Sequence, residues 1–248
     1  MMRAKRTVMN AWRTAAMTLV ALSALSAASA QNLVQDPSFE TTISNNNYGF
    51  NPTTWFANQS FGGGVWQVIS GSIDLVRVPG FGGPPGPGND QFVELNGNNP
   101  GAIRQRVTVS QDGLYDFSFY YGGYAATASG LDAASDYELR AEARIVDSTG
   151  FVVHSAIVSW SIAAGGFNGS WINTPYMAQI ALSADTYYVE FETLHFGGVD
   201  SNNNYIPDYF GPRIDGVNLS LVPEPASMLA LGAGLAGLLG LHRRRARG

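Results

Sequence analysis

Along the middle of the chain, apolar and polar residues alternate with a period of two. In residues 114–121, Tyr115, Phe117, Phe119 and Tyr121 share one face, and Asp116 and Ser118 fall on the other. Residues 137–146 repeat the pattern, with Tyr137, Leu139, Ala141, Ala143 and Ile145 opposite Glu138, Arg140, Glu142 and Arg144. A helix would stack Glu138 near Glu142 and Arg140 near Arg144, and both pairs repel. A strand instead buries the apolar set and leaves the charges outside, so the spacing predicts a strand. Residues 151–162 form a long β-rich run, and 187–194 point Glu190 and Glu192 away from Val189 and Phe191. Further strands are expected at 65–69, 73–78, 91–95, 102–109 and 214–221. Asp112-Gly113, Ser148-Thr149-Gly150 and Gly165-Gly166 mark tight connections, and residues 81–90 form a Gly/Pro loop. No internal repeat suggests a solenoid. Many short strands without a long amphipathic helix predict an all-β fold, a β-sandwich of jelly-roll type.

The two ends depart from this pattern. Arg3, Lys5, Arg6 and Arg13 precede an uncharged, small and apolar stretch at 15–28, and Ala28-Ser29-Ala30 then offers the small-x-small pattern of a signal-peptidase site. The expected mature start is Gln31. An ordinary N-terminal helix or a true anchor is the alternative, but the stretch is short and Ala/Ser-rich for a span. At the other end stand Pro223-Glu224-Pro225, an apolar run of 16 residues at 226–241, and Arg243, Arg244, Arg245 and Arg247. The run is shorter than the ~20 residues that cross a hydrocarbon core. Its Gly, Ala and Leu suit a closely packing helix in lipid, with the arginines cytoplasmic and the body outside. A permanent tail anchor is the plain alternative. Residues 1–30, 31–221 and 222–248 are therefore expected to be leader, domain and tail.

Removing the ends exposes a charge asymmetry. The body keeps six basic residues, Arg77, Arg104, Arg106, Arg140, Arg144 and Arg213, against 18 carboxylates, a formal charge of −12. Clustered cations that could meet phosphates are absent, which excludes nucleic acid as a partner. An acidic surface suits neutral glycans, divalent cations or solubility alone. The chain has no Cys, so thiol nucleophiles, zinc–thiolate sites and disulfides are excluded, and stability must come from the core.

Two resemblances extend this reading. Pro223-Glu224-Pro225, the apolar run and the arginine cluster resemble the PEP-CTERM sorting signal of Gram-negative bacteria. That resemblance implies recognition by an exosortase after signal peptidase has acted, with the C-terminal helix transiently in the inner membrane. It also implies a place at the envelope, outer surface or extracellular matrix, and an association with exopolysaccharide and biofilm. In the body, residues 32–40, Asn-Leu-Val-Gln-Asp-Pro-Ser-Phe-Glu, are similar to the opening of galactose-binding-like jelly rolls, with Asp-Pro in place of the usual Asn-Gly. Trp66, the run Gly71-Ser72-Ile73-Asp74-Leu75 and residues 93–103 resemble the choice-of-anchor C domain, as does the closing Ile214-Asp215-Gly216-Val217. The galactose-binding-like resemblance implies a structural calcium joining an early loop to the last strand, which maps to Glu40 and Asp215.

Other candidate chemistry comes from the residues alone. Asp200, Asn202, Asn204 and Asp208 place oxygens at positions 1, 3, 5 and 9, the offsets of a calcium loop. Tyr205 stands where the loop needs Gly, so an Asn-rich turn explains the run as well. A sugar site needs an aromatic platform beside polar groups. Trp55 and Phe56 beside Asn58, Trp171 beside Asn173, and Tyr205 and Tyr209 beside Asn204 and Asp208 meet that need, and packing beneath their loops is the alternative for each. The body's histidines, His154 and His195, lie in no catalytic motif. Glu190 and Glu192 could form a glycosidase pair or a solvated face. The expected function is a non-catalytic polysaccharide-binding module. The alternatives are a structural surface protein without a small-ligand site and a glycosidase-like enzyme.

Overall fold

The computed structural model describes residues 31–42, 53–77, 91–123, 137–162, 170–172, 174–194, 198–199, 205–206, 211–223, 232 and 234. The chain divides into two units, and residues 32–221 form one of them. Its strands in chain order are β1 (Thr53–Phe56), β2 (Ser60–Phe61), β3 (Trp66–Ser70), β4 (Ser72–Arg77) and β5 (Gln91–Glu94). Next come β6 (Ala102–Val109), β7 (Gly113–Gly123), β8 (Tyr137–Asp147), β9 (Val152–Ile162) and β10 (Ser170–Trp171). The last are β11 (Tyr176–Leu182), β12 (Asp185–Thr193), β13 (Gly198–Val199), β14 (Tyr205–Ile206) and β15 (Arg213–Leu221).

They build two antiparallel sheets. Sheet A has the order β1-β4-β5-β15-β7, and the far side of β7 carries β11 along its first half and β10 at its end. Sheet B has the order β2-β3-β6-β12-β8-β9. The pairings β12–β6 and β15–β5 are long-range, so each sheet closes around a strand made late in the chain. The fold is the expected all-β sandwich. In the second unit, Gly232 and Gly234 are helical. The leader, with Ala28 and Ala30, and nearly all of the tail lie outside the described residues.

Period-two alternation sends one set of side chains from each sheet into the shared interior. Sheet A contributes Ile73, Leu75, Val93, Phe117, Phe119, Ile214, Val217 and Leu219, and sheet B contributes Trp66, Val68, Ile103, Ala141, Ala143, Ile145, Val189 and Phe191. Aromatic rings bridge the layers. Phe119 meets Phe191 edge-on at 5.0 Å and stacks near Tyr176 at 5.1 Å, while Trp66 lies 6.4 Å from Phe191 and 5.2 Å from Phe39. Such ring pairs stabilise by about 0.5–1.5 kcal/mol beyond the area they bury.

Among the described residues, six strands were not expected, β1, β2, β10, β11, β13 and β14, and three of them bear on the reading. β1 holds Trp55 and Phe56, read from sequence as loop aromatics. Four residues are too few to show a period, and Trp55 turns inward as the partner of Ile73. β10 likewise takes Trp171 out of a loop. β11 is apolar on both faces, because Met177 and Ala181 stand opposite Tyr176, Ala178, Ile180 and Leu182, so alternation is hidden there.

Replacing Phe119 by Ala removes the ring that both layers share. Urea unfolding should show a loss of about 3–5 kcal/mol with an unchanged m-value.

Candidate functional site

Two places carry chemistry, and both depend on β15. The first is where the N-terminal segment meets this strand. Asn32 and Leu33 run beside the end of β15: Leu33 N–H donates to Leu219 O at 2.8 Å, and Val217 N–H donates to Pro37 O at 2.9 Å. Between Pro37 and β5 the loop 36–42 fills a gap. Asp36 (φ 45°) and Phe39 (φ 59°) hold left-handed backbones there, a cost that persists only where surroundings enforce it. Gln91 fixes the loop by donating its side-chain amide to the carbonyls of Phe39 and Thr42, while Glu40 Oε1 accepts Gln91 N–H at 3.0 Å.

Asp215 faces this loop. Its exposure is 0%, and neither carboxylate oxygen has a hydrogen-bond partner. Burial pushes its carboxyl up to about 8, the charges of Glu40 and Asp36 push the same way, and the nearby Gly216 backbone N–H opposes them. Asp36 Oδ2 is also buried without a partner. It sits where a Cβ on Gly62 would stand 2.6 Å away, so only glycine fits beside it. Orphaned, buried, acidic oxygens are the donor set a hard cation takes. Among the described residues, no three His, Cys, Asp or Glu side chains form a ready-made metal cluster. A cation here would therefore also need main-chain carbonyls. Asp36 was missed in the sequence, although it opens the Asp-Pro step where the opening motif departs from the usual Asn-Gly.

The second place is the face of sheet A turned away from the core. Strand register lines up one residue from each strand: Thr54, Asp74, Glu94, Arg213, Gly122 and Trp171. Thr54 donates to Asp74 Oδ1 at 2.6 Å, Gly211 N–H donates to Glu94 Oε1 at 3.0 Å, and Arg213 lies 3.6 Å from Glu94. The Arg213 guanidinium stacks over Phe92 at 4.5 Å, and Phe92 meets Trp171 edge-on at 5.4 Å. Trp171 is half-buried, and its indole N–H has no acceptor. Burial raises the Asp74 carboxyl, and the Thr54 hydrogen bond only partly offsets that. The rung thus combines a carboxylate held toward its neutral form, an ion pair and two aromatic rings; Asp74, Glu94, Arg213 and Phe92 are buried, and within the rung Thr54 and Trp171 are the partly exposed members.

The outer face of sheet B is different. Arg144 pairs with Glu192 at 2.8 Å, Glu190 at 3.2 Å and Glu142 at 3.4 Å. Arg104 stacks over Tyr188 at 4.8 Å and donates to Gln67 at 3.1 Å. Glu190 and Glu192 are therefore the acidic half of a charge ladder. His154 lies in β9 with its ring 2.9 Å from the Tyr176 hydroxyl, and burial lowers its pKa.

The remaining sequence candidates divide plainly. Trp55 packs against the core beside Phe61 at 6.0 Å, which corrects its reading as a loop platform. Trp171 joins the sheet A rung. Tyr205 is in β14, which pairs with β13 around residues 200–204. Asp200, Asn202, Asn204, Asp208, Tyr209 and His195 lie outside the described residues. Gln31 is exposed, and Pro223 is exposed just beyond β15. Glu224, Pro225, Arg243, Arg244 and Arg245 lie outside the described residues.

Residues 221–245 match the PEP-CTERM protein-sorting motif. That motif implies an exported chain processed by an exosortase at the envelope of Gram-negative bacteria. Comparison with curated proteins finds no match. Among solved structures the chain is similar to TmCBM61 in complex with β-1,4-galactotriose, with 12% identity and a TM-score of 0.42, over 77% of this chain and 99% of that one. It is also similar to a CBM4 structure, with 12% identity and a TM-score of 0.39, over 75% and 98%. A third is a carbohydrate-binding module from Cellvibrio mixtus lichenase 5A in complex with cellotriose, at 11% identity and a TM-score of 0.34, over 61% and 88%. At these values the likeness is one of layout and assigns no ligand.

The raised Asp74 carboxyl has a measurable consequence. The folded state keeps this proton at a pH where the unfolded chain, near 3.8, has lost it. Stability contributed by Asp74 therefore falls as pH rises above that value. Asp74→Asn should flatten the fall of the stability–pH curve above about pH 4 when compared with the wild type.

Proposed function

We propose that this chain is an exported, non-catalytic module that holds a polysaccharide on the outer face of sheet A. The rung from Thr54 to Trp171 carries the reading. A sugar offers hydroxyls that a carboxylate and a guanidinium can bridge, and C–H faces that stack on an aromatic ring. Asp74, Glu94 and Arg213 supply the first; Trp171, next to Phe92, supplies the second. Asp74 and Glu94 stand side by side on neighbouring strands, and each is tied to a donor. A glycosidase needs two carboxyl groups facing each other across a scissile bond, so binding fits this face better than hydrolysis.

A structural calcium belongs to the same proposal. Asp215, Glu40 and Asp36 would hold it together with carbonyls of the 36–42 loop. The ion would neutralise the buried carboxylates and tie the N-terminal segment to β15. With the PEP-CTERM tail, the reading places the module outside the cell, on exopolysaccharide of the cell's own matrix. The resemblance to choice-of-anchor C domains points the same way.

Glycan-array binding of the 31–221 fragment, which holds every described core residue, tests this. The wild type should bind at least one neutral polysaccharide, and Trp171→Ala should weaken that binding by roughly tenfold while the fragment stays folded. Absence of binding to any glycan would overturn the function. Binding unchanged in Trp171→Ala would overturn the site.

A further inference from the structure

The longest edge strand of the sandwich is left open. β9 is 11 residues long, about 36 Å, and among the described residues it pairs with β8 on one side only. Edge strands present unpaired N–H and C=O groups, and proteins normally blunt them with charge, proline, shortness or a bulge. Of the other edges among the described residues, β1 has four residues and β2 two, while β11 has seven and is the next longest. β9 is neither short nor charged. No Asp, Glu, Lys, Arg or Pro occurs between residues 151 and 164. Its single bulge falls near Val152, opposite Ile145 and Val146, and pairing with β8 is regular from His154 onward. Phe151 (68%), Ile157 (54%), Val152 and Val153 are exposed along it.

We propose that this edge pairs with β9 of a second copy of the same chain, antiparallel and about a two-fold axis at Ile157. Three observations select that occupant. The body carries six arginines against 18 carboxylates, so two copies repel across most of their surfaces, and the 151–164 stretch offers a long approach free of charge. Ile157 is the midpoint of the strand, so the register that pairs all 11 residues places this exposed side chain against itself. Ser155 then opposes Ser159, and the outer-face row is self-complementary, as an isologous contact requires. Finally, Glu142, the β8 neighbour of Ile157, is paired with Arg144 at 3.4 Å and takes a hydrogen bond from Ser155. No unpaired carboxylate is brought to the axis. The product is one continuous sheet of twelve strands, two copies of β2-β3-β6-β12-β8-β9, in which sheet A takes no part.

Sedimentation equilibrium of the 31–221 fragment should show a reversible dimer. Ile157→Lys should weaken association roughly tenfold or more with no change in the far-ultraviolet spectrum, since Ile157 is exposed. The cysteine-free background allows a register test. Ile157→Cys should form a disulfide dimer on oxidation, because directly paired residues have Cα atoms about 4.5–5.5 Å apart. Ser155→Cys should not, because its own copy lies about four residues off register, roughly 13 Å away. A wild-type fragment that stays monomeric at every concentration would overturn the proposal. So would a dimer that survives Ile157→Lys, or cross-linking of Ser155→Cys as readily as Ile157→Cys.

Discussion

A buried carboxylate with no protein partner constrains this molecule more than any other single group. Asp215 sits in β15, between β5 and β7, fully withdrawn from solvent. Raised to about 8, the carboxyl keeps its proton at neutral pH, and a buried polar group left unsatisfied still costs about 1–3 kcal/mol, a large part of the net stability of a domain this size. The chain nonetheless builds toward it. Gly216 takes a left-handed backbone (φ 58°) at a bulge immediately after Asp215, and this releases β15 to continue with Val217 and Leu219 in the core. Loop 36–42 accepts two strained residues in order to bring Asp36 and Glu40 near. The proposed calcium ion would resolve the conflict, since it would turn three mutually repelling carboxylates into ligands.

The same strand organises the surface. Arg213, two residues before Asp215, anchors the polar rung of sheet A through Glu94 and Phe92. The far end of β15 pairs with Asn32, so the first and last segments of the 32–221 unit meet at one place. Sheet B supplies the contrast. Its outer charges gather around Arg144, which pairs with three glutamates, whereas the sheet A rung sets an Arg–Glu pair beside a carboxyl held toward neutrality.

Much of the fold was legible because one-sided burial writes a period of two into the sequence. The strands through Phe117, Ala141 and Val189 announced themselves in that way, and Trp66 was read correctly as core. β11 was hidden because both of its faces are apolar, and β1 because it is short. The candidate sites were harder. Asp74, Glu94 and Arg213 are far apart in the chain and meet only through register, which no local pattern encodes. Glu40 and Asp215 were reached through a resemblance rather than from spacing. Trp55 and Trp171 looked alike in sequence, each an aromatic near an Asn. The inward turn of one and the outward turn of the other were decided by which strand each paired with.

The central claim is that Asp215 is a ligand of the folded state rather than a structural defect. Thermal melting of the 31–221 fragment, titrated with calcium and repeated for Asp215→Asn, tests it most directly. The account predicts that the wild-type melting temperature climbs with calcium concentration, because a ligand of the native state must stabilise it. Asp215→Asn should melt at least as high as the calcium-free wild type and show no response. A wild-type melting temperature indifferent to calcium would contradict the account.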